Sequence, residues 1–105
     1  MLRPALLALS LLFALSTIAS AEFTVESADE GLTVKQDGKL VTRYLIKSGA
    51  KPVMYPIIGT SGKELTRGWP IRDALDFEKQ DHIHHRSLWF THGNVNGVDF
   101  WSESG

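Results

Sequence analysis

The sequence predicts an all-β fold, an antiparallel β-sandwich assembled from hairpins and preceded by a signal-peptide helix. After Glu22, apolar and polar residues alternate with a period of two, which is typical of half-buried strands. Two β-rich runs flank the pair Asp37-Gly38, a combination that favours a hairpin turn. Glycines and prolines interrupt any stripe with helical spacing further along the chain. Because the predicted sheet is open, we expect the chain to be the N-terminal portion of the sandwich.

The first 21 residues have the pattern of an export signal. Arg3 supplies a positive charge, Ala5–Ile18 is almost entirely apolar, and small residues occupy positions 19–21. We predict cleavage before Glu22, so that residues 1–21 are a signal peptide and residues 22–105 the β domain. A membrane anchor is the alternative, but the apolar run is shorter than the ~20 residues that a bilayer span needs. The predicted location is periplasmic or secreted, with no stable membrane span after cleavage.

Four strands are predicted in the first half of the domain. Phe23–Val25 is the first, and Leu32–Gln36 and Lys39–Ile46 form the hairpin around the Asp-Gly pair. A turn follows at residues 48–51. Val53–Tyr55 lies between two prolines, which cannot donate a backbone hydrogen bond, so this segment is predicted to be an edge strand or an extended loop.

The second half of the domain is less regular. Residues 63–79 are predicted to form a long irregular connection, a kind of segment that often carries function. Residues 87–92 are predicted to be a strand, 93–97 a turn, and 98–101 the returning strand.

The composition excludes several classes of protein. The formal net charge is −1, which argues against a nucleic-acid surface or a polybasic membrane anchor. The chain has no cysteine, so disulfides are excluded as a source of stability.

All four histidines lie close together in sequence, from His82 to His92. In an extended segment His82 and His84 project to one side and His85 to the other. A His-x-His pair is a spacing by which one strand gives two imidazoles to a metal ion. We predict His82, His84 and His92 as ligands of one divalent transition metal, with Asp99 or Glu103 as alternatives for the third position.

Two other interpretations of the histidines remain open. An imidazole exchanges protons near neutral pH, so His82, His84 and His92 are also candidate catalytic acids or bases, with Asp99 as a catalytic carboxylate that orients them. In a second interpretation the imidazoles have no chemical role and hydrogen-bond within a structural network around a buried Arg86.

Three further residues are candidates for substrate binding. The guanidinium groups of Arg86 and Arg72 suit a carboxylate, a phosphate or a sugar hydroxyl, although an arginine on a solvated face is more common. Trp89 offers an aromatic face on which a sugar ring can stack, with a place in the core as the alternative.

The segment from His82 to Trp101 carries a family resemblance. It is similar to the HxHHRSLWFAHGDVNGVDFW signature of the secreted bacterial PmoA-like family, which is often named methane oxygenase. Lys51-Pro52 to Tyr55-Pro56 and Leu65-Thr66-Arg67 also resemble that family, so the resemblance covers about Lys51 to Glu103. Asn94 stands where the family pattern has aspartate.

The resemblance implies a longer, antiparallel β-sandwich exported by bacteria that degrade polysaccharides. Methane oxidation is not expected, because a membrane methane monooxygenase subunit is a bundle of apolar helices and residues 22–105 contain no run of 18 apolar residues.

We therefore expect an exported protein that acts on carbohydrate through a histidine-rich site, by acid–base or metal-assisted chemistry. A noncatalytic carbohydrate-binding module is one alternative, and a truncated family member without activity is another. The expected partner is a carbohydrate or another small polar substrate, not a nucleic acid.

Overall fold

The computed structural model describes residues 19–103, which form an all-β structure around one antiparallel sheet. Its four strands are β1 (Phe23–Ala28), β2 (Gly31–Gln36), β3 (Lys39–Ser48) and β4 (Lys51–Ile57), and they lie side by side in chain order. The all-β antiparallel prediction is confirmed, and the second layer of a sandwich stays a prediction. Most of the predicted signal peptide, residues 1–18, lies outside the described residues. In the described part of the chain, no helix has the length and apolarity needed to cross a bilayer.

The hairpin between β2 and β3 forms at the predicted Asp-Gly pair. Asp37 has a φ of 49° and Gly38 a φ of 76°, and Gln36 pairs with Lys39 on either side of them. Positive φ at both central residues is the condition for the turn that matches the twist of a two-residue hairpin. The sequence-based assignment of this turn is therefore confirmed.

The turn between β3 and β4 requires glycine for two reasons. Gly49 has a φ of 64°, in the left-handed region that side chains disfavour. A Cβ atom at this position would lie 2.6 Å from both carboxylate oxygens of Glu103 and 2.7 Å from Nε of Arg86. The absence of a side chain thus lets an ion pair from the C-terminal segment pack against the turn.

Strand β4 is the edge of the four-stranded sheet, which is the first of the two alternatives, edge strand or extended loop, that its prolines predicted. On its open side the N–H of Met54 donates to the carbonyl of Leu88 at 2.8 Å, in an isolated bridge. Ser87 reinforces this contact, because its hydroxyl donates to the carbonyl of Met54 at 2.7 Å. Ser87 and Leu88 therefore connect the segment that contains His82–His85 to strand β4.

The two faces of the sheet have different surroundings. Val25 lies opposite Val34, and Leu32 lies opposite Tyr44, so their side chains share a face. We call this the apolar face, and with the alternating neighbours its members are Phe23, Val25, Leu32, Val34, Tyr44 and Ile46. All of them except the half-buried Val34 are 39–61% exposed.

The opposite face is covered near β4. Val53 is 1% exposed and Lys51 2% exposed. The hydroxyl of Tyr55 lies 3.2 Å from a carboxylate oxygen of Glu64, and Nζ of Lys51 donates to the carbonyl of Trp101 at 3.0 Å. The small core of the described chain therefore lies between β4 and the irregular C-terminal half.

The predicted irregular connection over residues 63–79 is confirmed, but the predicted strands at 87–92 and 98–101 do not form. Only a tight turn is present between them, where Val95 and Val98 form an isolated bridge. On both sides of this turn, side chains form hydrogen bonds with backbone groups that would otherwise pair the two strands. Thr91 donates to the carbonyl of Phe100, and the carboxylate of Asp99 accepts from the N–H groups of Trp101 and Ser102. Such local bonds compete with strand pairing.

Candidate functional site

The histidine segment is a turn, and the prediction of an extended segment was wrong. His82 has a φ of 39°, and the N–H of His85 donates to the carbonyl of His82 at 2.8 Å. This hydrogen bond closes the backbone on itself, so alternation of side chains does not apply. His85 turns toward the other two imidazoles instead of pointing away from them.

The turn brings three imidazoles into one cluster, which we call the histidine cluster: His82, His84 and His85. The ring centroids of His84 and His85 are 4.4 Å apart, and those of His82 and His85 are 4.9 Å apart with the rings stacked. One ligand nitrogen from each ring lies within 4.8 Å of the others. The cluster therefore has the composition of a small metal site or a proton-transfer site.

Arg67 holds the backbone from which the cluster begins. Its guanidinium donates to the carbonyl oxygens of Lys79, Asp81 and His82, at 2.8–3.2 Å, and to the carboxylate of Asp81. The hydrogen bond from Arg67 lowers the pKa of Asp81, which is thereby held as a carboxylate. Arg67 therefore anchors the loop that carries the histidines, through hydrogen bonds to its backbone.

The electrostatic surroundings keep His85 neutral. Burial lowers the pKa of His85, and the neighbouring His84 and His82 lower it further. A neutral imidazole carries a free lone pair, so His85 can accept a proton or bind a metal ion near neutral pH.

A continuous path of rings leads from the cluster to two tryptophans. His85 stacks on Trp89 with centroids 5.6 Å apart, and Trp89 meets Trp101 edge to face at 5.7 Å. Nζ of Lys51 lies 4.8 Å from the centroid of the Trp89 ring. Trp89 is therefore largely engaged within the protein, whereas Trp101 is 44% exposed.

A shallow depression lies beside these rings. It measures about 250 Å³ and is lined by Ser87, Leu88, Trp89, Phe90, Thr91 and Trp101. Drug-sized ligands occupy pockets of roughly 300–1,000 Å³, so this depression matches a smaller ligand of about one ring.

Arg86 belongs to a buried ion network. Its Nε donates to the carboxylate of Glu103 at 3.0 Å, and its Nη1 donates to Ser48. Lys51 lies 3.5 Å from the same carboxylate, and the side chains of Lys51 and Glu103 are 1% and 7% exposed. Burial raises the pKa of Glu103, but the hydrogen bonds from Arg86 and the N–H of Ala50 outweigh it, and the pKa is lowered. The contacts of Arg86 fit the structural interpretation better than a substrate clamp.

His92 and Asp99 lie outside the histidine cluster. Nδ1 of His92 is within 3.2 Å of the N–H of Asn94, in a local loop contact. The carboxylate of Asp99 accepts from the N–H groups of Trp101 and Ser102 and from the hydroxyl of Ser102. The hydrogen bond from the Ser102 hydroxyl is the largest cause that lowers the pKa of Asp99. Of the predicted catalytic and metal-binding residues, the structure thus brings together only His82 and His84.

Arg72 lies in a different place, beside an open groove of about 760 Å³ that also includes Phe77 and Leu75. Its guanidinium is bonded to Glu64 and Glu78 at 2.9–3.1 Å. The N–H of Gly68, followed by that of Leu75 and by Arg72, lowers the pKa of Glu78 to about 2. Arg72 is therefore paired within the protein and separate from the histidine cluster.

Sequence reasoning missed two participants in the site. His85 was assigned to the wrong side because the turn at His82 was not recognised. A positive φ is uncommon for any residue other than glycine, so the sequence carried little signal for this turn. The contact of Lys51 with Trp89 joins positions far apart in the chain, and no spacing rule predicts it.

The comparisons with known proteins identify a family but no activity. The sequence pattern of the family described as "Family of unknown function (DUF6807)" matches residues 31–105. The chain belongs to this family. No curated protein and no solved structure matches it. The matched range of this DUF6807 member begins at β2 and includes the histidine cluster, the tryptophans Trp89 and Trp101, and the ion network.

Proposed function

We propose that this DUF6807 member binds carbohydrate outside the cytoplasm and acts on it with the histidine cluster. The observation that carries the proposal is the ring path from His85 through Trp89 to Trp101, beside a depression of about 250 Å³. In this arrangement the imidazole of His85 is one aromatic ring away from the partly exposed Trp101. The N-terminal export pattern and the resemblance to the PmoA-like family support the location and the substrate class.

Trp101 is the aromatic platform in this proposal. Because Lys51 and His85 already contact Trp89, the more exposed ring of Trp101 has the larger free surface for the C–H groups of a sugar. Thr91 lines the same depression and offers a polar group at its wall.

His85 is the proposed base. Its lowered pKa keeps the imidazole neutral at pH 7, and its ring stacks on Trp89, which lines the depression. A neutral imidazole that can accept a proton is suited to general base catalysis.

A noncatalytic sugar-binding module is the second candidate. The ion pair between Arg86 and Glu103 favours this second candidate. Arg86 was predicted to bind substrate, but its guanidinium is already bonded to a carboxylate of the protein. In this case Trp101 binds the sugar and the histidines take no part in a reaction.

Titration with a panel of glycans, followed by tryptophan fluorescence and release of reducing sugar, tests both candidates. We expect Trp101→Ala to weaken sugar binding at least about tenfold, because the stacking surface is lost. Trp69→Ala is the matched control, since Trp69 does not line the depression, and it retains binding. Loss of turnover with retained binding in His85→Ala supports the enzyme. Binding without turnover in the wild type supports the module, and no binding to any glycan contradicts both.

A further inference from the structure

The ring nitrogens of the histidine cluster are available for a ligand. Within residues 19–103, no hydrogen bond or ion pair engages an imidazole nitrogen of His82, His84 or His85. By contrast, Nδ1 of His92 is already in contact with Asn94. The three clustered imidazoles therefore lie close together without other hydrogen-bond partners in the described part of the chain, and the fourth does not.

The spacing of the cluster is close to that of a metal site. A tetrahedral zinc ion with Zn–N bonds of 2.0–2.1 Å holds its ligand nitrogens about 3.3 Å apart. The three nitrogens here lie within 4.8 Å of one another on a surface turn, so they must move closer together to bind one ion.

Two carboxylates and one guanidinium lie near the cluster. Arg67 is the nearby positive group, and it is bonded to the carboxylate of Asp81. The carboxylate of Asp99 lies within electrostatic range of His84. The Asp81 carboxylate partly offsets the guanidinium, and Arg67 also fixes the carbonyls of Asp81 and His82 at the base of the turn.

We infer that His82, His84 and His85 form a three-imidazole site for one divalent transition metal ion of the zinc class. Imidazole donors favour zinc, copper, nickel or cobalt over magnesium or calcium, which prefer oxygen. Three protein ligands leave a fourth position for water or a substrate oxygen, as in catalytic zinc sites. The inference goes beyond the proposed function, because metal binding does not depend on a sugar substrate. A bound metal ion would occupy the lone pair of His85, so the role of His85 as a base belongs to the metal-free protein.

Metal titration of single-histidine variants tests the ligand set. The full chain is expressed with its own N-terminal segment and without a histidine tag, stripped with EDTA, and titrated with Co²⁺ by visible absorbance and with Zn²⁺ by calorimetry. We expect one equivalent of metal, and a loss of affinity of at least about a hundredfold in His82→Ala, His84→Ala and His85→Ala.

His92→Ala is the matched control, since His92 lies in the same segment outside the cluster, and we expect wild-type affinity. Equal losses in His92→Ala and His85→Ala overturn the inference, as does a wild type that binds less than one equivalent. His85→Gln and a urea midpoint for each variant separate loss of a ligand from loss of the fold. A sugar titration of the metal-free protein is read separately, so the carbohydrate proposal and the metal site can fail independently.

Discussion

At the scale of single residues, the most consequential contact is the one among Lys51, Arg86 and Glu103. A lysine side chain that is 1% exposed is stable in its charged form only beside a carboxylate, and Glu103 supplies that carboxylate from far along the chain. The ion network connects the C-terminal segment to Lys51, the first residue of β4. Lys51 also donates to the carbonyl of Trp101, which fixes the position of this residue. The position of the proposed sugar platform thus depends on this network.

Glu103→Gln is expected to lower the free energy of unfolding by about 3 kcal/mol, because it leaves two buried cations without their carboxylate. Urea denaturation at pH 7 measures the change. Glu26→Gln is the control, since Glu26 pairs with Lys35 on an exposed part of the sheet and is expected to cost less than about 1 kcal/mol. Equal effects of the two substitutions would contradict the structural role of Glu103.

The same carboxylate is expected to make the protein sensitive to acid. The pKa of Glu103 in the folded state lies below its usual value of 4.5, so its contribution to stability is present above pH 4.5 and is lost as the pH falls through the lowered pKa. Glu78, with a pKa of about 2, acts in the same direction. We expect the urea midpoint to fall between about pH 5 and pH 2, with a smaller fall in Glu103→Gln. A midpoint independent of pH in this window would contradict the assignment.

At the scale of elements, the β2–β3 hairpin shows how much of this fold is local. Its two strands and its turn follow from alternation and from one Asp-Gly pair, and both were predicted from sequence. Gly38 has no atoms within 4 Å of the position that a Cβ would take, so its requirement is conformational and not steric.

Substitution at Gly38 tests this interpretation. Gly38→Ala is expected to cost about 1 kcal/mol in unfolding free energy, because alanine disfavours a φ of 76°. Gly38→Asn is the matched variant and is expected to cost less, since asparagine tolerates left-handed conformations. Thermal and urea unfolding of both variants measure the difference, and a fully stable Gly38→Ala protein would count against the assigned turn.

The C-terminal half shows the limit of the same local rules. Residues 87–92 and 98–101 are rich in aromatic and β-branched residues, which strands favour, yet no strands form there. Hydrogen bonds from Thr91 and to Asp99 occupy backbone groups that a ladder needs, and the bridge between Met54 and Leu88 fixes the start of the segment. A hydrophobic pattern indicates which residues prefer a pleated surface, but it does not show whether a partner strand lies in register.

At the scale of the whole molecule, the most prominent feature of the sheet is that its apolar face is exposed. Side chains such as Phe23 and Val25 are each 61% exposed, on a face to which β1, β2 and β3 all contribute. A large exposed apolar surface is unusual on a monomeric soluble domain. The predicted second layer of a sandwich would lie against this face.

Binding of the dye ANS measures how far this face is accessible. We expect the full chain to enhance ANS fluorescence at neutral pH and the double variant Val25→Lys/Ile46→Lys to reduce the enhancement by about twofold, with little change in the melting temperature. Phe77→Lys is the control, since Phe77 is exposed outside the sheet and is expected to leave most of the signal. A wild-type protein that does not bind ANS would show that the face is covered in solution.

The sequence by itself determined the all-β class, the hairpin and the clustering of histidines along the chain, and it limited β4 to an edge strand or an extended loop. Each of these follows from local physics: two-residue alternation, the positive φ that glycine permits, and the missing N–H of proline. Only the tertiary structure decided that His85 joins His82 and His84 while His92 does not, and that Glu103 reaches Lys51. These choices depend on a single turn and on contacts between distant segments, whose energies are set by the path of the whole chain and not by the spacing of neighbouring residues.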